Sequence, residues 1–141
     1  MPEIAHPRLR QLLAFWDAKR GARPMPGYAA IDAIELWAWL GNLILIEVTA
    51  VGGFRYRVYG TGLAEYYGRD LTGKTTDALR PDVRALVCQE YAEVCQTARP
   101  LLVTHRRRVR DQPMVVEKLI LPFAADDHTV ARLLAGAYPS G

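Results

Sequence analysis

The stretch that most constrains this chain is Phe54 to Lys74, FRYRVYGTGLAEYYGRDLTGK. Phe54, Tyr56 and Val58 alternate with Arg55, Arg57 and Tyr59, the period of a strand, and Gly60, Thr61 and Gly62 then stop it. Thr61 is placed to cap a helix, Leu63, Tyr66 and Tyr67 fall three and four apart, and Gly68 suits a left-handed C-terminal residue. A strand is therefore handed straight into a one- or two-turn aromatic helix, and the rest of the chain has to supply a sheet around that corner.

The flanking segments do so. From Pro7 to Arg20, Leu9, Leu12, Leu13 and Trp16 form one apolar stripe of a helix, with Pro7 in the first turn and Gly21 closing it. The breaker-rich GARPMPG of Gly21 to Gly27 follows, so this helix is expected on its own sheet or at a contact with a second copy. Ile31 to Gly41 reads as a second helix, with Asp32 and Glu35 as a capping box and Gly41 as its end. Trp37 and Trp39 cannot share a face at their spacing, so one is expected in the core and the other towards a partner or ligand.

Leu43 to Val48 is a short apolar run before Gly52 and Gly53, a central strand that makes a hairpin with Phe54 to Tyr59. Asp82 to Ala98 is the longest helix, its stripe Val83, Leu86, Val87, Tyr91, Val94 and Ala98 lying between Pro81 and Pro100. Three strands follow at Leu101 to Arg110, Met114 to Phe123 and Val130 to Tyr138, separated by hairpin-length turns. Strands and helices do not alternate as a parallel doubly wound sheet requires. The expected class is α+β, an antiparallel sheet with helices gathered on one side.

With 141 residues, 50% of them hydrophobic and 23% charged, the chain suits one domain, divided as 1–27 for the first helix and linker and 28–141 for the core. A net charge of +3 is a mild bias towards anions, and the basic run His105 to Arg110 splits between two faces of a strand. That pattern fits a charged edge strand, so no nucleic-acid partner is expected. Cys88 and Cys95 would sit about 10 Å apart on a helix, too far for a bridge, which points to reduced thiols in a cytoplasmic protein. No secretory signal is visible at the N-terminus, and Leu36 to Ile46 is too short for a membrane span.

Gly68 to Thr75, GRDLTGKT, satisfies the phosphate-binding loop pattern, in which backbone amides cradle phosphates and the lysine reaches them. Its context is wrong, because a short helix precedes Gly68 and Pro81 interrupts soon after Thr75, so nucleotide binding is not expected. No catalytic constellation or metal spacing stands out: Ser140 is the only serine, and His6, His105 and His128 are scattered.

The run FRYRVYGTGLAEYYGRDLTGK resembles small single-domain proteins of the PAS superfamily found in proteobacteria, whose members carry FRYRLxGT followed by GxDLTG. The similarity extends to LLAFWDAKRG, IDAIELWAWL, LILIEV, EKLILPFA and ARLLAGAY, nearly the whole chain. Two positions depart from the pattern: Asp126 and Asp127, where a glycine is usual, and Gly41 in place of proline.

The resemblance implies a five-stranded antiparallel sheet with helices on one face and an N-terminal amphipathic helix. It also implies a sensory or interaction module whose sheet and helix cavity takes a small molecule or a partner, acting in bacterial intracellular signalling as a homodimer and without catalysis. Haem is disfavoured because no histidine lies in Asp82 to Ala98, and flavin because Gly68 to Arg80 contains no cysteine. The candidate pocket is Trp39, Tyr56, Arg57, Tyr66, Tyr67, Tyr91, Leu119 and Leu121, a mixture that also suits a filled core. Arg57, if buried, needs Glu117, Asp70 or an anionic ligand as its partner. Leu9, Leu12, Leu13 and Trp16 are the candidate partner or dimer surface. The rival from another class is a small cavity enzyme on a related cone-shaped sheet.

Overall fold

A computed structural model of the chain describes residues 2–109, 111–125 and 129–140, the side chains at 109 and 140 falling outside that description. The elements run α1 (Pro7–Arg20), a 3-10 turn, a longer 3-10 helix (Ala33–Asn42), β1 (Leu43–Val48), β2 (Phe54–Tyr59), α2 (Thr61–Tyr67), a 3-10 turn (Thr76–Ala78), α3 (Pro81–Thr97), β3 (Leu101–Val109), β4 (Gln112–Ala124) and β5 (Val130–Ser140). The strands form one antiparallel sheet in the order β2-β1-β5-β4-β3. The turn at Asp126 and Asp127, with Arg110 and His128, lies outside the described residues.

Both faces of the sheet are covered, and each has its own core. On the inner face, Ile44, Ile46, Val116, Ile120, Leu133, Ala135 and Ala137 meet Leu63 of α2 and Val87, Tyr91 and Val94 of α3. On the outer face, α1 lays Leu9, Leu12 and Trp16 over Leu43, Leu119, Leu121, Phe123 and Leu134. The first helix thus takes the side opposite α2 and α3.

Helix α1 is built as its sequence dictates at both ends. His6 caps it by accepting the Arg8 amide at 3.1 Å, and Gly21 leaves it at φ 60°. Leu9 and Leu12 are fully buried and Trp16 is 4% exposed, each contributing about 1.5–3 kcal/mol by burial. The indole of Trp16 donates to the Pro122 carbonyl at 2.8 Å. A side chain at Gly136 would stand in the way: an added Cβ would come within 2.8 Å of Leu12 Cδ2 and 2.9 Å of Leu9 Cδ2. Three of the four residues read as a partner surface, Leu9, Leu12 and Trp16, are thus occupied by the chain's own sheet, and Leu13 packs against the same core while remaining half-buried.

The segment expected as an α-helix at Ile31 to Gly41 is a 3-10 helix, in which side chains three apart align. Ala33, Leu36, Trp39 and Asn42 form one ridge, with Leu36 and Trp39 packed into the outer core. Trp39 donates to the Arg8 carbonyl at 2.8 Å and Asn42 to that of Ala137 at 3.0 Å. Ile34, Trp37 and Leu40 form the next ridge and stand 80%, 78% and 42% exposed. Asp32 accepts the Ile34 amide, whereas Glu35 closes no capping box and pairs with Lys19 of α1 at 2.6 Å.

Candidate functional site

The corner that organises the sequence also builds the site. Strand β2 carries a bulge: Leu45 pairs with Val58 and Ile46 with Tyr56, so Arg57 is the extra residue. That extra residue puts Tyr56 and Tyr59 on the same inner face, their rings 5.6 Å apart at 85°, instead of the opposite faces that strict alternation gives them. Gly60, not Thr61, is the residue before α2, and its amide donates to the Leu43 carbonyl at 2.7 Å. A Cβ at Gly60 would run into the carbonyl of Gly41, so this corner accepts glycine alone. Gly68 ends the helix at φ 82°, its amide donating to Ala64.

After the corner, the loop folds back on β2 and offers no phosphate cradle. The Gly73 amide donates to the Tyr56 carbonyl at 2.7 Å, and the Tyr56 amide to that of Lys74 at 2.8 Å. Asp70 accepts from the amide and hydroxyl of Thr72, which holds its carboxyl below the ordinary range. Only a three-residue 3-10 turn follows Thr75, so the helix a phosphate-binding loop requires is missing at that place.

Between this corner, α3 and the inner face of the sheet lies a cavity of about 850 Å³, open to solvent at one side. Tyr56, Tyr66, Tyr67 and Tyr91 line it, as does Tyr59. Leu71, Leu79, Val83, Leu86 and Val87 supply its apolar wall, and His105, Arg107 and Lys118 its polar one. Burial pushes the phenols of Tyr56, Tyr59, Tyr67 and Tyr91 up, so they stay protonated at neutral pH.

A charged network lies against this cavity. Glu90 of α3, 7% exposed, reaches Lys118 at 2.8 Å and His105 at 3.1 Å. Burial alone would raise its carboxyl, but the His105 and Lys118 contacts outweigh that and hold it below the ordinary value. Burial lowers the Lys118 ammonium. The ammonium also sits 5.6 Å from the Tyr91 ring, and the Tyr91 hydroxyl meets that of Tyr56 at 3.4 Å.

Three polar atoms of cavity-wall residues are buried without a hydrogen-bond partner among the described residues, Tyr66 Oη, His105 Nε2 and Arg107 Nε; His105 Nε2 faces the Glu90 carboxylate at 3.1 Å, whereas Tyr66 Oη and Arg107 Nε face no such charge. The Arg107 guanidinium lies 5.1 Å from the Tyr67 ring, which in turn packs 5.3 Å from Tyr66.

Four of the eight pocket candidates lie elsewhere. Leu119 and Leu121 point through the other face of β4 into the core under α1, and Trp39 is in that same core. Arg57 is exposed on an edge strand, with no buried charge to compensate. Glu117, its suggested partner, accepts instead the amides of Ala5 and His6 at 2.8 Å each. Sequence reasoning missed Tyr59, Glu90, Lys118 and Arg107. The alternation in HRRR was the available signal for Arg107, since it puts His105 and Arg107 on one face of β3, the sheet's other edge.

A second, smaller groove of about 200 Å³ lies on the outer face, lined by Tyr28, Ala33, Leu36, Leu40, Leu45 and Val58 among others. Both cysteines are free thiols on α3. Among the described residues no cluster of His, Cys, Asp or Glu is placed to hold a metal, and no helix is long and apolar enough to cross a membrane.

Comparison with solved structures finds the same architecture. The PAS domain of BvgS from Bordetella pertussis superposes with a TM-score of 0.59 at 11% identity, over 94% of this chain and 88% of that one. A sensory box sensor histidine kinase from Vibrio cholerae gives 0.57 at 14%, over 77% and 89%. VqmA bound to DPO gives 0.60 at 15%, over 76% of this chain, which spans 56% of the VqmA chain. At such identities the likeness concerns the fold. No curated protein matches the chain. The model of the family described as PAS domain, however, matches residues 4–138. With the five-stranded sheet, the strand-to-helix corner and a match over nearly its full length, this chain belongs to the PAS domain family.

Proposed function

We propose that this domain is a non-enzymatic sensory module of intracellular bacterial signalling that binds a small molecule in its inner cavity. The observation that carries the reading is the cavity itself: about 850 Å³, with tyrosine and aliphatic walls and a few convergent polar groups, within the size range of small-ligand sites. The rival, a cavity enzyme, calls for a carboxylate raised by burial to act as an acid. Glu90, the buried carboxylate beside this cavity, is held low by His105 and Lys118, which favours binding over acid catalysis. Neither haem nor flavin is proposed as the occupant, since α3 has no histidine and Gly68 to Arg80 no cysteine.

Signal output runs through β4. A ligand that binds one arrangement of the inner face better shifts the balance between arrangements, and β4 carries both cavity residues and the anchor of α1. The homodimer is proposed on the 3-10 ridge of Ile34, Trp37 and Leu40 rather than on α1, whose stripe packs against the chain's own core. That 3-10 helix carries the exposed ridge and also walls the neighbouring groove through Ala33, Leu36 and Leu40, so one patch offers both knob and hole to a second copy.

Native mass spectrometry of the protein as purified tests the ligand reading. A co-purifying adduct that is released on denaturation and is absent when Val83→Trp fills the cavity is the expected result. An adduct-free spectrum, together with no binder of the inner face in a fragment screen by NMR, overturns it.

A further inference from the structure

The cations around the inner cavity are not equivalent. Lys118 is paired with Glu90, and so is His105. At the mouth, Arg80 faces Asp82 at 3.5 Å, Arg69 donates to the Ala78 carbonyl and Arg108 to that of Asp111. Arg106 is exposed. Arg107 alone combines a place on the cavity wall with a buried donor that has neither a hydrogen-bond nor an ion-pair partner among the described residues.

A guanidinium donor taken out of water without an acceptor is strongly unfavourable, and so, more mildly, is a buried hydroxyl. Tyr66, whose Oη is likewise buried without a partner, packs its ring on the same Tyr67 ring that the Arg107 guanidinium contacts. Two donors held on one aromatic platform call for an acceptor with two oxygens. A phosphate, with a third oxygen and nearly twice the charge, wants more donors than these.

We infer that the occupant of the cavity is an organic carboxylate with an apolar body, its carboxylate held between Arg107 and Tyr66 and its body against Tyr59, Tyr67, Val83 and Leu86. This rests on the reading of the cavity as a ligand site. Arg107 is the residue that selects the anion, and the wall of α3 accommodates the body.

Calorimetric titration of the intact chain with 2-naphthoate, decanoate and the neutral 2-naphthamide tests it. One or both carboxylates bind, at least tenfold tighter than the amide, and the better of the two identifies an aromatic or an aliphatic body. Arg107→Gln lowers carboxylate affinity tenfold or more and leaves amide affinity unchanged. Tyr66→Phe, which removes one hydroxyl without altering the fold, lowers carboxylate affinity severalfold. Equal affinity for 2-naphthoate and 2-naphthamide, or an Arg107→Gln variant that loses both alike, overturns the carboxylate inference while the cavity reading stands. No binding by any of the three overturns the inference as well, and the native mass spectrum then decides separately whether the cavity is a ligand site.

Discussion

Glu117 and Lys118, neighbours on β4, act through opposite faces of the sheet: Glu117 accepts the Ala5 and His6 amides at the start of α1, and Lys118 reaches Glu90 of α3. One strand therefore holds the N-terminal helix on one side and the charged network of the cavity on the other. A change in twist of β4 is felt by both.

Replacing Glu117 by alanine removes the acceptor of two amides and frees the start of α1. The expected loss of stability is about 1–3 kcal/mol in urea denaturation, because two donors at a partly buried site lose their partner. Amide hydrogen exchange at Ala5 and His6 should accelerate more than exchange in α3. Uniform acceleration across the chain would contradict a local anchoring role.

Substitution of Gly136 by alanine should loosen α1 as well, from beneath. The added methyl meets the ends of Leu9 and Leu12 at under 3 Å, an overpacking that costs about 1–3 kcal/mol even after those side chains shift. A melting temperature equal to wild type would show that the helix has room that the packing denies.

The Glu90 network gives a pH dependence with a definite sign. The folded carboxyl is held below its ordinary value of 4.5, so its stabilising contribution is complete above that value and is lost as pH falls through the lower folded value. Glu90→Gln leaves Lys118 buried without its counter-charge and should cost about 3–5 kcal/mol near neutrality. It should also give a shallower decline in stability than wild type as pH falls below about 4.5. Parallel pH profiles for the two proteins would contradict the assignment.

A charge placed on the exposed ridge tests the proposed dimer. Trp37→Glu should convert a dimer to a monomer in sedimentation velocity without lowering the melting temperature of the domain, since Trp37 is 78% exposed. The reverse pattern, a dimer that persists, would place the interface elsewhere.

The fold was legible because its signals are local. Hairpin turns, the prolines around α3 and the glycines of the corner each mark an element end, and α1 runs over the predicted Pro7 to Arg20. Facing was harder to read. Nine consecutive residues of β4, Val116 to Ala124, are buried, so no alternation tells Leu119 and Leu121 from Val116, Lys118 and Ile120, and only the helix on each side separates them. The bulge at Arg57 was invisible for a similar reason: one inserted residue reverses every later assignment on β2, and its cause is the pairing with β1. Tertiary contacts also decided between α and 3-10 geometry for Ala33 to Asn42, where Trp39 and Asn42 reach carbonyls of distant segments.

The measurement closest to the central claim is NMR mapping of the protein titrated with 2-naphthoate, with side-chain resonances assigned on both faces. The account predicts saturable shifts for Tyr59, Tyr66, Tyr67, Val83 and Leu86, followed by smaller ones at the Ala5 and His6 amides. Shifts confined to Leu36, Leu40 and Val58 of the outer groove, or none on the inner face at saturating probe, would contradict it.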